Sequence, residues 1–167
     1  MVKSAAPSTL IRAITDVDLK DIIELDAKVN GHSRPGYFTL RFAELAQPPL
    51  SERQIGLAAE SGGRLAGFVM GTLISGEFGI LETTAIVDSI GVDPGEQRTG
   101  IGRTMLYEFM RISARNGAVA IQTLVAWNDW DLVHFFHSLG FTLGSTVPLV
   151  RRIDGALTIQ PESEILR

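Results

Sequence analysis

The chain of 167 residues contains no cysteine, and this absence excludes several kinds of chemistry. Without thiols the protein forms no disulfide, no thiolate metal site and no iron-sulfur cluster, and it has no sulfur nucleophile. Histidine is also scarce, with 3 residues in the whole chain, so a histidine-rich metal site is not expected. We therefore predict a protein that holds no metal and reacts without a cysteinyl intermediate.

Long apolar runs and an excess of positive charge are missing as well. No run reaches about 18 apolar residues, the length that a membrane-spanning helix needs, and residues 1–8 lack the apolar core of a signal peptide. The formal net charge is -4 and the sequence pI is ≈ 5.3, which is too acidic for a general nucleic-acid binder. These features predict a cytoplasmic protein whose partners are neither nucleic acids nor membranes.

The residues that are present describe one α+β domain. Hydrophobic residues make up 45% of the chain, enough for a real core, and at about 150 residues per domain a single domain is the default. Apolar residues at helical or alternating spacing, separated by glycine and proline, predict the order of the elements. Strands are expected at Leu10–Ile14, Gln54–Glu60, Leu65–Ile74, from Glu82 or Thr84 to Val92, at Val119–Ala126 and at Val147–Ile153, and helices after Thr15, near Pro35, from Ile101 and after Asn128.

The loop between Val92 and the helix at Ile101 contains the most informative residues of the chain. Gly100 and Gly102 allow the backbone to approach a ligand closely, and the first amides of the following helix have no partners within that helix. These amides and the helix dipole suit a bound pyrophosphate, and Arg98 and Arg103 add positive charge. Taken alone, the two glycines fit a phosphate-binding loop and a simple turn equally well.

Two well-known phosphate-binding motifs do not fit this loop. A P-loop needs Lys and Ser or Thr after its second glycine, but Arg103 and Thr104 follow a glycine spacing that is too short. A dinucleotide-binding fingerprint needs a third glycine where Met105 stands and an acidic residue about 20 positions later, where residues 122–125 offer none. Neither a P-loop nor a dinucleotide-binding loop is therefore expected.

The segment Gln97-Arg98-Thr99-Gly100-Ile101-Gly102 resembles the signature of the GNAT N-acetyltransferases, Gln/Arg-x-x-Gly-x-Gly/Ala at the start of a helix. The resemblance covers nearly the whole chain, because the other elements follow in the family's order, down to the closing segment Ser138-Leu139-Gly140-Phe141. It implies the GNAT acyl-CoA N-acyltransferase fold over residues 9–157, with a polar tail over 158–167. That fold is a three-layer α/β arrangement with a mixed, mostly antiparallel sheet of about six or seven strands flanked by about four helices.

The same resemblance implies that acetyl-CoA is the cofactor. In this family the signature loop binds the pyrophosphate, the preceding strand pairs with the pantetheine arm, and a later helix packs on the other side of the cofactor. The cofactor-binding residues expected on this basis are Gln97, Arg98, Thr99, Gly100, Ile101, Gly102 and Arg103 in the loop, Ile90, Gly91 and Val92 on the strand, and Asn128, Asp131, His134 and Phe135 around the later helix.

The implied reaction is direct transfer of an acetyl group from the thioester to a primary amine of a small molecule or a protein. An alkylamine with a pKa of about 10 must lose a proton before it attacks, so a base or a water path is needed. Asp88 is the first candidate, since it lies in an otherwise apolar or small run where family members often carry an acidic residue. Glu82 and Glu77 are alternatives near the start of that strand.

Two further positions bear on the acceptor and on the proton for the leaving thiolate. Tyr37 lies in the region that forms one wall of the family's acceptor groove, and core packing explains it equally well. The family's usual acidic Tyr is replaced by Phe136, so that proton would come from water or from a histidine.

This replacement of Tyr by Phe136 keeps open a non-catalytic acyl-CoA-binding regulatory domain of the same fold, and a nucleotide-binding module of another fold is a second alternative. The family often dimerises, so a homodimer is one of the oligomeric states left open.

Overall fold

The computed structural model describes residues 9–48, 53–76, 79 and 81–151. These residues fall into two units, one ending at Asp129 and the other beginning at Trp130. The first unit contains every strand that the structure describes, and the second contains one helix. Among the described residues, no helix has the length and apolar character needed to cross a bilayer.

The first unit contains a five-stranded sheet in the order β1-β2-β3-β4-β5. The strands are β1 Leu10–Ala13, β2 Gln54–Ser61, β3 Arg64–Ile74, β4 Thr83–Val92 and β5 Ala118–Thr123. Neighbouring strands pair in antiparallel fashion except β4 and β5, which are parallel because a helix connects them across the sheet. The mixed, mostly antiparallel sheet confirms the predicted fold class.

Two predicted strands differ from the structure. The strand expected at Val119–Ala126 ends earlier, at Thr123, because its partner β4 bulges just beyond the last paired residue, Val87. The strand expected at Val147–Ile153 is not formed in its described part, since residues 147–151 have no strand pairing, and residues 152–153 lie outside the described residues. The sheet therefore has five strands among the described residues, where six or seven were expected.

Local signals account for the helices α1 Leu19–Asn30, α2 Pro35–Ala46, α3 Ile101–Arg115 and α4 Trp130–His137. A 3-10 turn at Asp16–Asp18 leads into α1, and the Asp18 carboxylate accepts a 2.8 Å hydrogen bond from the Thr15 amide. Helix α1 ends at Gly31, whose φ of 75° places it in the left-handed region that glycine adopts without strain. Pro35 occupies the first turn of α2, where its missing N–H costs nothing.

The helices of the first unit cover both faces of the sheet. On one face, α1 and α2 bury an apolar cluster against β3, made of Ile22, Leu25, Phe38, Phe42, Phe68 and Met70. On the other face, α3 packs so closely that Gly71 has no room for a side chain, because a Cβ there would lie 2.6 Å from Phe109 Cζ. Along the chain, the N-terminus of α3 follows the loop that leaves β4.

Candidate active site

Strands β4 and β5 pair along only part of β4. The parallel pairing runs from Thr83 to Val87, whereas β4 continues to Val92 and, among the described residues, pairs there only with β3. The Thr123 hydroxyl donates a 3.1 Å hydrogen bond to the Val87 carbonyl where the pairing ends. Backbone groups on an unpaired strand side can receive an extended ligand as an added strand. The predicted residues Ile90, Gly91 and Val92 lie along this open stretch.

The loop after Val92 is shaped by short-range hydrogen bonds and by two residues with positive φ. The Glu96 amide donates to the Asp93 carbonyl at 2.8 Å, and the Gly95 amide donates to the Asp93 carboxylate at 2.9 Å. Arg98 has a φ of 65° and is the one non-glycine residue with positive φ among those the structure describes. A non-glycine residue in this region stores strain, and such strain is concentrated at functional sites.

The N-terminus of α3 offers a geometry that fits an anion. Gly100 is the N-cap residue with a φ of 94°, and a Cβ built on it would meet nothing within 4 Å. Its carbonyl accepts the Thr104 amide at 2.9 Å, so the amides before Thr104 precede the first hydrogen bond of the helix. Amide donors at the positive end of a helix of 15 residues, beside an N-cap residue with open space around its Cβ position, suit an anion such as a pyrophosphate.

The side chains of the predicted loop residues divide into two groups. Gln97 donates from its amide to the Val92 carbonyl at 3.3 Å, and the Thr99 hydroxyl donates to the Glu96 carbonyl at 2.6 Å, so both support the loop. Arg98 and Arg103 are exposed, and Arg103 donates to the Tyr107 hydroxyl at 3.3 Å. The sequence did not lead us to predict the contact between Arg103 and Tyr107, although their spacing of i to i+4 on a helix would have indicated it.

Asp88 lies at a β-bulge in β4. Met70 pairs with Ser89 and the next residue, Gly71, pairs with Val87, so Asp88 is the extra residue of the bulge. A bulge redirects side chains and often borders a functional site. It brings the Asp88 carboxylate to the α2 face of the sheet, where Arg41 forms an ion pair with it and the Thr72 hydroxyl lies 2.9 Å away.

A polar cluster therefore surrounds Asp88, although its neighbours along the strand are apolar or small. Arg41 of α2 also donates to Thr72 at 2.7 Å and to Glu44 at 2.8 Å, and the Thr72 hydroxyl lies 3.2 Å from Gln54 Oε1. Sequence reasoning did not find Arg41, Thr72 or Gln54, because these residues are distant along the chain and meet only in the folded protein. In the described part of the chain, no group of three or more acidic or histidine side chains is placed to hold a metal ion.

Comparison with protein families identifies the fold. The model of the acetyltransferase (GNAT) family matches residues 19–141, well over half of the chain. The chain belongs to the GNAT family. Acetyl-CoA is the cosubstrate of this family, which confirms the predicted cofactor. No curated protein sequence matches the chain.

Solved structures of low sequence identity have the same GNAT fold. The aminoglycoside N-acetyltransferase AAC(6')-Iy in complex with CoA superposes with a TM-score of 0.76 at 14% identity, covering 90% of this chain and 99% of that one. A transcriptional regulator from Bacillus halodurans C-125 gives a TM-score of 0.74 at 18% identity, covering 87% and 100% of the two chains. The ribosomal-protein-S18-alanine N-acetyltransferase from Escherichia coli gives 0.68 at 19% identity, covering 83% and 80%.

The remaining residues predicted for this GNAT site are spread over the molecule. Tyr37 is half-buried and packs edge-to-face on Phe38 at 4.9 Å between ring centroids, and its contact with the acceptor stays a prediction. Glu82 is exposed immediately before β4, and Glu77 lies outside the described residues. Among the contacts that the structure describes, Glu82 makes none with the cluster around Asp88.

The helix expected beside the cofactor in a GNAT protein belongs to the second unit. Asp131, His134 and Phe135 lie on α4, and Asn128 is in the exposed turn that ends the first unit. Phe136 is buried within the second unit, with ring-centroid distances of 5.3 Å to Phe135 and 5.0 Å to Phe141. Cofactor binding by the four predicted residues stays a prediction.

Proposed function

We propose that the protein is an acetyl-CoA-dependent N-acetyltransferase that moves the acetyl group directly to a primary amine. The observation that carries the proposal is the continuous path along β4. It begins at the bulge at Asp88, follows the stretch to Val92 where β5 no longer pairs, and ends at the N-terminus of α3. Such a path offers an acidic group, an open strand side and an anion site in the order that a long acyl-CoA requires.

The cofactor is assigned to the far part of this path. The backbone of Ile90, Gly91 and Val92 would pair with the pantetheine arm, and the amides from Gly100 to Arg103 would hold the pyrophosphate. Arg98 and Arg103, which are exposed, would supply positive charge at the edge of the anion site in a chain whose net charge is -4. Cofactor binding by Asn128, Asp131, His134 and Phe135, which the family resemblance implies, stays a proposal.

The reaction requires one proton to leave the amine and one to reach the sulfur. The neutral amine nitrogen bonds to the acetyl carbon, the carbon–sulfur bond breaks, and the thiol of coenzyme A leaves. We assign the amine proton to the Asp88 carboxylate, directly or through water, with Glu82 as the alternative acceptor. Because Phe136 carries no acidic proton, water or a histidine supplies the proton that the sulfur takes up. Since the chain has no cysteine, transfer proceeds without an acyl-cysteine intermediate.

The acceptor is an amine of a small molecule or of a protein. Two structurally similar proteins represent these classes, one an aminoglycoside N-acetyltransferase and the other an N-acetyltransferase of a ribosomal-protein alanine. We place the reaction in the cytoplasm and propose Tyr37 and Glu77 as contacts of the acceptor. A homodimer is one of the assemblies that the family resemblance leaves open.

A specific observation favours a second candidate, a regulatory domain that binds acyl-CoA without turnover. The Asp88 carboxylate is already engaged by Arg41 and Thr72, and one protein with the same fold is described as a transcriptional regulator. In this alternative, the loop from Gln97 to Arg103 binds the ligand and no acetyl group is transferred.

Turnover and binding measured on the same preparation separate the two candidates. Coenzyme A affinity is measured by calorimetry, with ADP and NAD as competitors, and product formation is measured with kanamycin, spermidine, lysine and a peptide beginning with alanine. We expect tight coenzyme A binding and acetylation of at least one amine, with Asp88→Asn lowering kcat by about 100-fold or more. Binding without any product favours the regulatory domain, and stronger binding of ADP or NAD contradicts both candidates.

A further inference from the structure

The Asp88 carboxylate is held from one side only. Both contacts that the structure records, from Arg41 and from the Thr72 hydroxyl, engage its Oδ2 atom. Among the described residues, the other oxygen, Oδ1, has no hydrogen-bond partner. One oxygen is therefore anchored while the other remains for a ligand proton.

The anchoring side chain spans the gap between a helix and the sheet. Arg41 starts on α2, its side chain is only 13% exposed, and its two terminal nitrogens contact three elements through Glu44, Thr72 and Asp88. The planar guanidinium makes such multiple contacts with a fixed geometry, which an ammonium group does not. The regular strand pairing does not hold the Asp88 backbone, because a bulge residue lies outside that pairing.

The buried surroundings of the Arg41 guanidinium lower the stability of the fold. Its Nε atom is buried and has no hydrogen-bond partner among the described residues, and a buried donor without a partner costs free energy. Glu44 pairs with Nη1 of Arg41, whereas Asp88 pairs with Nη2, and Glu44 therefore offsets part of the guanidinium charge. The cluster contains one guanidinium cation and two carboxylates. This balance leaves a negative environment that suits a cationic amine.

We infer that Arg41 is a positioning residue that anchors Oδ2 of Asp88 so that Oδ1 meets the acceptor amine. The inference rests on the proposed function, because it assigns Arg41 a role only if Asp88 receives the proton of the amine. Misplacing a catalytic group by about 1 Å costs about 100-fold in rate, so the effect should be seen in kcat. The affinity for coenzyme A should be unchanged, since Arg41 lies on the α2 side and not at the N-terminus of α3.

A double-mutant cycle of Arg41→Gln and Asp88→Asn tests the inference, with kcat and KM measured for whichever amine of the panel above is acetylated. We expect Arg41→Gln to lower kcat by about 10- to 100-fold with the coenzyme A affinity within about twofold of the original. In the Asp88→Asn background, Arg41→Gln should change kcat by less than about threefold, because the group it positions is already gone. Effects that multiply in the double variant would overturn the positioning role while leaving the proposed function intact.

Control variants separate this outcome from a folding defect and from failure of the proposed function. Arg111→Gln removes an Arg–Glu ion pair of similar local spacing, with Glu108 on the surface of α3, and should leave kcat unchanged. If Arg41→Gln fails to fold, Thr72→Val removes the second contact to Oδ2 and should lower kcat by about 3- to 10-fold, again only when Asp88 is present. Absence of turnover with every amine, despite coenzyme A binding, overturns the proposed function and the positioning role with it.

Discussion

A charge placed at Gly100 gives the sharpest test of the pyrophosphate site. Gly100→Asp and Gly100→Asn introduce side chains of nearly the same size, and both residues tolerate the left-handed φ of 94° better than other side chains do. Because a Cβ at this position meets nothing within 4 Å, neither variant clashes with the loop, and both carry the same backbone strain at this positive φ. The two variants therefore differ mainly in one negative charge.

The size of the effect follows from the position of Gly100 at the N-cap of α3. A bound phosphate at the first amides would lie about 5 Å from an aspartate carboxylate, and this repulsion is about 1–3 kcal/mol for an effective dielectric constant between 80 and 20. The coenzyme A dissociation constant of Gly100→Asp should thus exceed that of Gly100→Asn by about 5- to 150-fold. Calorimetric titration at low salt measures the ratio, and about 1 M salt should reduce it because screening is then stronger.

The same pair of substitutions at Gly117 provides the control. Gly117 follows α3 at its other end, has a φ of 85° and also has open space around a Cβ, so the steric change is matched. Gly117→Asp and Gly117→Asn should leave coenzyme A affinity unchanged. Equal dissociation constants for Gly100→Asp and Gly100→Asn would refute the assignment of the pyrophosphate to this helix terminus.

Two further predictions concern stability. The Arg12 guanidinium, 2.8 Å from Asp18, holds the pKa of that carboxyl below its ordinary value of 3.8. The ion pair therefore stabilises the fold fully at pH values above 3.8, and this stabilisation is lost as the pH falls through the lower pKa of the folded state. Asp18→Asn should lower the free energy of unfolding by about 1 kcal/mol at pH 7 and by less near pH 2. Chemical denaturation at both pH values measures this free energy, and an equal loss at pH 7 and pH 2 would contradict the link between the ion pair and the pH dependence. Gly71→Ala places a methyl group 2.1 Å from the Ile86 carbonyl oxygen, so β3 and β4 must separate, and thermal unfolding should show a loss of about 3 kcal/mol or more. Gly56→Ala, where the nearest atom is a flexible Ile14 side-chain carbon at 3.2 Å, is the milder control, and equal losses would contradict the packing argument.

The backbone conformation at the start of α3 could be predicted from the sequence because its determinants are local. Glycine at position 100 allows the positive φ, and a helix beginning at Ile101 must present amides that have no partner within it. The same locality explains why Gly31 ends α1 and why Gly62 and Gly63, both with positive φ, form the turn between β2 and β3. In each case a few neighbouring residues decide the backbone conformation.

The surroundings of Asp88 could not be predicted in the same way. Its position on a strand followed from the apolar pattern, but its ion-pair partner Arg41 is 47 residues away along the chain. The contact depends on a bulge that redirects the Asp88 side chain, and the bulge is visible only in the pairing register with β3. The early end of β5 has the same origin, since the ladder stops beside that bulge.

By itself, the sequence determined the exclusion of cysteine chemistry, the fold class and the position of the glycine-containing loop at the start of α3. The absence of cysteine acts through composition alone, and the loop acts through residues that are adjacent in the chain. Only the tertiary structure decided that Asp88 is anchored by Arg41 and Thr72 and that one of its oxygens is left without a partner among the described residues. The physical reason is that hydrogen bonds between distant elements depend on the strand register and on how helices pack against the sheet. Neither is determined by a short segment of the sequence.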